Sequence, residues 1–283
     1  MLRILTDSTS DIPNELAKQL NIEIFHLEVR FSETEVYRDG VDLSAEEFYR
    51  KLPQYAQLPS TSQISPAEFK SYFKEIKENG DEAVGIFISS ELSGTCQSAA
   101  IAKQMLDADN IYVVDSRTVT FSLGLLVLQA VKLRDQGCSA KEICEKIEEM
   151  KQHLRLYAMV DTLKYLKKGG RISAVTAVAG EALGIKPIIS TIGGRVELVG
   201  KSRGRAGAFD WIVRQMEKDL PQENSPTAFG HSDAPEFMEE FLQLFPDAMK
   251  ENAMFGPLGC AVGTYAGPGA VGIAYFQKEK LEV

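Results

Sequence analysis

The chain has 283 residues, of which 44% are apolar, so it can fold as one large or two ordinary domains around a substantial core. Its formal net charge of −9 argues against a general nucleic-acid or anionic-membrane surface, because both require a net basic face. The four cysteines contain no C-x-x-C pair, which favours reduced thiols. An aspartate interrupts the amino terminus before a signal region can form, and no stretch approaches ~18 uninterrupted apolar residues. We therefore expect a cytoplasmic protein.

The first half of the chain is predicted to alternate strands with helices. Short apolar runs indicate strands, and helix starts carry capping residues, as in Ser65-Pro66-Ala67-Glu68. Strands are expected near residues 2–5, 22–31, 84–88 and 111–114, and helices near 13–20, from 44, from 65, from 95, near 120–134 and from 139. This alternation predicts a mostly parallel sheet covered by helices on both faces.

The second half is predicted to mix helices with antiparallel strands. Gly193-Gly194 separates two apolar runs and suits a two-residue hairpin turn. The other expected elements are strands at 156–160 and 228–231, helices at 162–168, 173–183 and 209–218, a helix capped by Asp233, and two closing strands around 267–270. We predict an α/β fold of two domains, with a mostly parallel sheet in residues 1–155 and a mixed sheet in residues 156–283.

One turn in the first half is a candidate binding site. The apolar strand at 84–88 leads through Ser93-Gly94-Thr95 into a helix whose first N–H groups have no intrahelical partners. Anions bind at such places. Gly94 lets a ligand approach the backbone, and the hydroxyls of Ser93 and Thr95 are either helix caps or ligand donors. The turn is therefore either a capped helix start or an anion site.

Two glycine-rich motifs are typical of nucleotide-binding proteins but lie in the wrong context. Residues 267–272 fit G-x-G-x-x-G, yet residues 273–276 resemble a strand where the dinucleotide motif must open a helix. Residues 194–202 resemble a phosphate-binding loop but place five residues between the glycines where four are needed. A nucleotide-binding oxidoreductase therefore ranks third among the functions considered.

Catalytic residues do not form a clear pattern. No G-x-S-x-G nucleophile elbow occurs, and His26, His153 and His231 lie within or beside apolar segments, where structural roles are common. Asp7 and Asp11 suit either a structural loop and helix cap or a metal or phosphoryl site, and we favour the structural role. A serine hydrolase acting on acyl substrates is the enzyme-class alternative, and no metal or cofactor is predicted.

Six spaced motifs together resemble the DegV family and cover nearly the whole chain. They are TDSTSD at 6–11, TSQ at 61–63, SSELSGT at 89–95, residues 163–172, LGIKP at 183–187 and GPG at 267–269. The resemblance implies two α/β domains with a long-chain fatty acid held between them. It also implies a non-enzymatic role in phospholipid metabolism, as the subunit of bacterial fatty acid kinase that binds the fatty acid and presents its carboxylate.

The same resemblance implies a carboxylate site. The hydroxyls of Thr61 and Ser93 would hold the carboxylate, and the complete predicted site consists of Thr61, Ser62, Ser93, Gly94, Thr95 and Tyr265. Tyr265 is a departure, because the family usually has a histidine there. A phenol donates one hydrogen bond and stays neutral near pH 7, unlike a histidine.

Cations in the second half are candidates for contact with the kinase catalytic subunit. Arg171 and Arg203, accompanied by Lys201 and Arg205, fall in turns or strand ends of an acidic chain. Such cations are either solvated surface charge or a cluster that stabilises an acyl phosphate and docks on an acidic face. We predict kinase or phosphate contacts for Arg171 and Arg203.

An acyl tail needs a dry apolar tunnel, which a cleft between two domains supplies. At ~0.8 kcal/mol per methylene, about 15 carbons give on the order of 12 kcal/mol of gross transfer, comparable to the gain in a bilayer. A protein that exchanges lipid during transient membrane contact must therefore bury nearly the entire tail. The candidate walls are residues 121–128 and 175–182, and ordinary core is the alternative for both.

Overall fold

A computed structural model describes residues 1–172 and 184–278. The strands are β1 (Leu2–Asp7), β2 (Ile22–Phe25), β3 (Glu28–Arg30), β4 (Val36–Arg38), β5 (Ser60–Ser62), β6 (Glu82–Phe87), β7 (Ile111–Asp115), β8 (Leu154–Met159), β9 (Ile185–Ile192), β10 (Arg195–Arg203), β11 (Thr227–His231), β12 (Met254–Pro257) and β13 (Val271–Phe276). The helices are α1 (Asn14–Gln19), α2 (Ala45–Lys51), α3 (Pro66–Glu78), α4 (Thr95–Leu106), α5 (Phe121–Asp135), α6 (Ala140–His153), α7 (Lys164–Gly169), α8 (Gly204–Met216), α9 (Pro235–Leu242), α10 (Asp247–Lys250) and α11 (Cys260–Ala266).

The first sheet is parallel throughout and has the strand order β2-β1-β6-β7, as the alternation of strands and helices predicts. Alternate side chains of its strands enter two different cores. Ile4 and Val84 pack with α5 and α6, whereas Leu5 and Ala83 pack with α3 and α4. Helices therefore cover both faces, and the prediction is confirmed.

The second sheet has the order β10-β9-β8-β13-β11-β12. Its neighbouring strands are antiparallel except for the parallel pair β11 and β12. Gly193 and Gly194 turn the β9–β10 hairpin with φ of 59° and 87°, so the predicted turn needs the left-handed conformation that glycine provides. The mixed sheet with antiparallel strands is also confirmed.

A small third sheet, β4-β3-β5, was not predicted. The sequence suggests one apolar strand over 22–31, but the chain leaves the first sheet after Phe25 and pairs again from Glu28 in a different sheet. Hydrophobicity continues through Leu27, which is buried, so the break has no compositional signal. This third sheet is important for the site because β5 carries Thr61.

Helix α5 joins the two larger sheets. It contacts β1 and β6 of the first sheet and β8, β11 and β13 of the second, and eleven of its 15 residues are buried. Gly124 permits this packing, because a Cβ there would lie 2.7 Å from both the Ser10 carbonyl oxygen and Met254 Cε. The predicted domain boundary near residue 155 falls at the start of β8, and the division into two domains stays a prediction.

Other predicted elements differ from the structure. Residues 260–266 form helix α11, so only one of the two expected closing strands, β13, adjoins the turn at 267–270. Asp233 does not cap α9, which follows Ala234 without a side-chain cap, and α8 begins at Gly204 rather than 209. The predicted helix at 173–183, with its candidate tunnel wall, lies outside the described residues. Within the described ranges, each helix is too short or too polar to cross a bilayer.

Candidate ligand-binding cavity

A large apolar cavity lies where the carboxyl end of the first sheet meets one face of the second. Its empty space, including the part open to solvent, is about 1190 Å³. Apolar side chains from both sheets, α5 and α11 form most of the wall, among them Val119, Phe121, Leu156, Ala228, Val262 and Ala274. The cavity can therefore hold an elongated apolar ligand.

One part of the wall is polar and combines three separate elements. Thr61 of β5 and Tyr265 of α11 form a hydrogen bond, with 2.8 Å between Thr61 Oγ1 and Tyr265 Oη. The guanidinium carbon of Arg171, just after α7, lies 4.7 Å from the centre of the Tyr265 ring. Arg171 also donates to the carbonyl oxygens of Leu92 and Gly169, at 3.3 and 2.7 Å. A permanent cation and two hydroxyls thus lie close together in the wall of a mostly apolar space.

The fold holds Tyr265 in place through the two ends of α11. At the start of this helix, Gly259 N donates to Asp11 Oδ1 at 2.9 Å, and Cys260 N donates to Asp39 Oδ1 at 2.8 Å. Near its end, the Tyr265 ring packs on Gly169, where a Cβ would lie 2.2 Å from the ring. Two distant aspartates and a glycine therefore fix the position of this phenol.

The same aspartates are buried. Burial raises the pKa of Asp11 well above the usual carboxyl value, and it also raises the pKa of Asp39. The negative charges of Asp39 and Asp7 raise the pKa of Asp11 further. Asp7 is a third buried carboxyl, and its Oδ2 accepts from Ile88 N at 2.8 Å. Burial raises the pKa of Asp7 to about 6. Asp7 and Asp11 hold loops and a helix start, which supports the structural role predicted for them.

The serine-rich turn before α4 contributes Ser93 and Gly94 to the cavity wall. Ser93 Oγ lies 3.0 Å from Thr95 Oγ1 and accepts from Thr95 N at 3.3 Å, so it takes part in a local turn. A Cβ on Gly94 would lie 2.0 Å from Gln63 Oε1, and Gln63 Nε2 donates to Ser98 Oγ at 2.9 Å. The glycine therefore accommodates the Gln63 amide, a role that the sequence did not indicate.

The structure brings together five of the predicted site residues. The cavity is lined by Thr61, Ser93, Gly94, Arg171 and Tyr265. Ser62, Thr95 and Arg203 are absent from the described lining. Ser62 follows Thr61 in a strand and faces the opposite side, Thr95 is fully buried, and Arg203 is exposed at the end of β10.

The predicted group of four cations is divided in the structure. Only Arg171 of the four lines the described part of the cavity. Arg205 pairs with Glu240 at 2.8 Å and stacks on Phe237, while Lys201 and Arg203 are exposed. Of the two predicted tunnel walls, the start of residues 121–128 lines the cavity through Phe121, and the rest of that segment is not part of the described lining.

Sequence reasoning missed Gln63 and the wall formed by α11. Gln63 belongs to the TSQ motif, so its position in the motif was an available signal. Helix α11 has no strong signal, because its composition of small and apolar residues also fits a strand. It reaches the cavity through Ala261, Val262 and Ala266.

The described residues offer little support for hydrolytic or metal chemistry. No histidine lines the cavity in residues 1–172 and 184–278: His26 Nδ1 contacts the Asp39 carbonyl, and His231 Nδ1 accepts from Ala234 N. The hydroxyl partner of Ser93 there is Thr95, not a base. The described ranges also contain no cluster of histidine, cysteine and acidic side chains that is suited to a metal.

An α/β protein whose apolar cavity has hydroxyls and a cation in its wall offers a site whose chemistry suits an amphipathic anion. A profile described as "Uncharacterised protein, DegV family" matches residues 1–278, and the chain belongs to that family.

The chain is similar to a DegV domain-containing protein of Caldanaerobacter subterraneus, with 35% identity over 279 residues that cover 98% of this chain and 99% of the relative. Two solved structures resemble the fold. A fatty-acid-binding DegV family protein from Thermus thermophilus has 30% identity, a TM-score of 0.90, and coverage of 98% of this chain and 99% of its own. DegV of Bacillus subtilis, described as a fatty acid binding protein, has 31% identity, a TM-score of 0.85 and the same coverage.

Proposed function

We propose that this protein binds a long-chain fatty acid in the cavity between its two larger sheets and presents the carboxylate to a fatty acid kinase. The observation that carries the proposal is a cavity whose mostly apolar wall also contains Thr61, Ser93, Tyr265 and Arg171. The fatty-acid-binding relatives support the choice of ligand.

In this proposal, the carboxylate lies beside the Thr61–Tyr265 pair and accepts hydrogen bonds from Ser93 and from one hydroxyl of that pair. Arg171 provides the opposite charge, and its stacking on Tyr265 fixes the guanidinium. A carboxylate removed from water requires such a cation or several donors, because an unpaired buried charge is costly. The methylenes fill the apolar part, where each contributes ~0.8 kcal/mol of transfer free energy.

Native mass spectrometry of the purified protein, followed by lipid extraction, tests the ligand. We expect about one acyl chain per protein, or saturable 1:1 binding of added palmitate or oleate to delipidated protein. Absence of bound lipid together with absence of binding would overturn the proposal. Hydrolysis of an acyl ester with turnover would instead favour the serine hydrolase.

Presentation to a kinase needs a contact outside the lipid-binding wall. Arg203 suits this role because it is exposed, lies at the end of β10 and does not line the described cavity. Arg171 is less suitable for separating the two functions, since its charge faces the proposed carboxylate. The kinase contact is therefore best tested through Arg203.

The test compares Arg203→Glu with the matched variant Arg50→Glu, an exposed arginine in α2. With the kinase catalytic subunit and ATP, Arg203→Glu should lower acyl-phosphate formation at least about tenfold, and palmitate affinity should stay within about twofold. The remaining activity should fall further as salt rises. Equal phosphorylation by both variants would show that the kinase docks elsewhere, without affecting the fatty-acid proposal.

A further inference from the structure

A second cavity, which we name the basic cleft, lies beside the first. It is formed by Arg117 before α5, Lys151 of α6, Arg155 and Tyr157 of β8, Ser190 of β9, and Trp211 of α8. Its space is about 1350 Å³, including the part open to solvent. The two cavities share Ser190 and Thr191 as lining residues.

Strand alternation places most of the basic cleft on the other side of the second sheet. Leu156 and Ala158 of β8 line the first cavity, whereas Tyr157 between them lines the cleft. In β9, Ile188 packs with α8 in the core, and Ser190 and Ile192 follow on the same face. The cleft is therefore a separate site that faces α8.

The cleft is basic although the whole chain has a net charge of −9. Its described lining contains three cations and no carboxylate. Arg117 lies 3.6 Å from Glu91 and Lys151 lies 2.6 Å from Glu148, so acids outside the lining partly neutralise these two. Arg155 differs, because its Nη1 donates to the carbonyls of Gln152 and Leu154 and it forms no ion pair within the described ranges.

Ser190 gives a second, independent observation at the cleft. The residue is 94% buried, and its side chain forms no hydrogen bond with any described residue. Its Oγ is not among the solvent-excluded polar atoms that lack a partner in the described ranges, so the hydroxyl reaches cavity space. Ser190 lines both cavities, and its place on the α8 face of β9 puts the side chain on the cleft side of the sheet, where a polar ligand atom can pair with it.

The cleft also offers an aromatic surface. Trp211 is half-buried, and a Cβ on Gly200 would lie 2.6 Å from its indole, so the ring packs closely on the backbone of β10. Tyr157 meets it edge-on at 5.9 Å, and the Tyr157 hydroxyl donates to Asp219 at 2.7 Å. These contacts hold the indole in a fixed orientation beside the cations. Planar ligands bind to such rings.

We propose that the basic cleft binds a phosphorylated ligand that carries an aromatic ring, which is the chemistry of a nucleotide. Arg155 and Lys151 pair with the phosphate, since guanidinium and ammonium groups bind phosphate oxygens. Trp211 contacts the ring, and Ser190 hydrogen-bonds to the polar part. This site is independent of the proposed fatty-acid function.

Fluorescence gives a direct measurement, because Trp211 is the only tryptophan in the chain. We expect adenosine monophosphate to change the fluorescence of the full-length protein saturably at 1:1 stoichiometry, and to bind more weakly as salt rises. Inorganic phosphate and adenosine should each bind at least about tenfold more weakly than the nucleotide. Prior loading with palmitate should leave the dissociation constant within about twofold.

The matched variants are Arg155→Gln in the cleft and Arg50→Gln in α2. Arg155→Gln should raise the dissociation constant for adenosine monophosphate at least about tenfold, while Arg50→Gln leaves it unchanged and both keep the wild-type thermal unfolding. Absence of saturable binding at millimolar nucleotide, equal affinity in both variants, or competition by palmitate would overturn the proposal. Equally tight binding of adenosine or of phosphate alone would do so as well.

Discussion

At the scale of single residues, Tyr265 connects the parts of the proposed carboxylate site. Its hydroxyl pairs with Thr61, and its ring carries Arg171 on one side and packs on Gly169. Removing only the hydroxyl should therefore separate hydrogen bonding from packing. Since a hydrogen bond to a charged group contributes about 1.5–3 kcal/mol, Tyr265→Phe should weaken palmitate binding by roughly ten- to a hundredfold.

Isothermal titration with palmitate measures this effect, and Tyr165→Phe is the control because Tyr165 does not line the described cavity. Tyr265→His should retain binding through its own donor and add a pH dependence between about pH 5 and 8. Wild-type affinity in Tyr265→Phe would limit the Thr61–Tyr265 pair to a structural role.

Two neighbouring residues of β5 provide a second residue-scale prediction. Thr61 lines the cavity and Ser62 faces away from it. Ser93→Ala should weaken palmitate binding by roughly ten- to a hundredfold, because it removes a donor to the proposed carboxylate. Thr61→Val should weaken it to a similar extent, because it breaks the Thr61–Tyr265 pair from which one hydroxyl donates to the carboxylate. Ser62→Ala should leave the affinity within about twofold. If all three variants bind like the wild type, the carboxylate lies elsewhere in the cavity.

At the scale of elements, α5 packs so closely between the two larger sheets that we expect Gly124 to tolerate no side chain. Gly124→Ala would force a methyl against the Ser10 carbonyl oxygen, which cannot move as a side chain can. Overpacking costs about 1–3 kcal/mol and exceeds the ~0.5–1 kcal/mol that alanine gains over glycine in a helix. Urea unfolding should show a net loss of about 1 kcal/mol, the difference between the midpoints of these two ranges.

Ser71→Ala, on the exposed face of α3, is the control for this experiment and should stay within about 0.5 kcal/mol of the wild type. Unchanged stability in Gly124→Ala would mean that the sheets separate enough to admit a methyl. The two sheets would then be less tightly joined by α5 than the contacts of Gly124 indicate.

Local sequence patterns predict some of these elements and not others. Parallel strands of the first sheet and the Gly193-Gly194 hairpin were predictable, because hydrophobic periodicity and turn chemistry are local. The break between β2 and β3 and the helix α11 were not, since a tertiary contact decides each. The start of α11 is capped by Asp11 and Asp39, which are more than 200 residues away in sequence.

The candidate site was predictable to a similar extent. Thr61, Ser93 and Arg171 lie in motifs that the sequence contains, and they meet in one cavity. Ser62 and Thr95 belong to the same motifs but face elsewhere, because a motif does not give the direction of a side chain. The basic cleft combines residues from α6, β8, β9 and α8, so no single stretch of sequence could indicate it.

At the scale of the whole molecule, buried carboxyls predict how stability depends on pH. The pKa of Asp7 is about 6 in the folded protein against a usual value of 3.8, so the folded state binds more protons than the unfolded state between these values. Stability from this group is complete below about pH 4 and is lost as pH rises through 6. The raised pKa values of Asp11 and Asp39 act in the same direction.

Asp7→Asn isolates this contribution. The variant should be less stable throughout, since an amide cannot accept from both Thr9 N and Ile88 N as the carboxyl does. The stability difference between wild type and variant should be largest near pH 4 and shrink by up to about 3 kcal/mol by pH 7, from a pKa change of about two units at 1.36 kcal/mol each. Denaturant unfolding at four pH values from 4.5 to 7.5 measures most of this change.

Asp42→Asn is the control, because the Asp42 carboxyl is held by Arg38 with a pKa of about 2 and stays ionised across that range. Parallel curves for wild type and Asp7→Asn would mean that Asp7 remains ionised in the folded protein, so that its hydrogen bonds from Thr9 and Ile88 outweigh its burial.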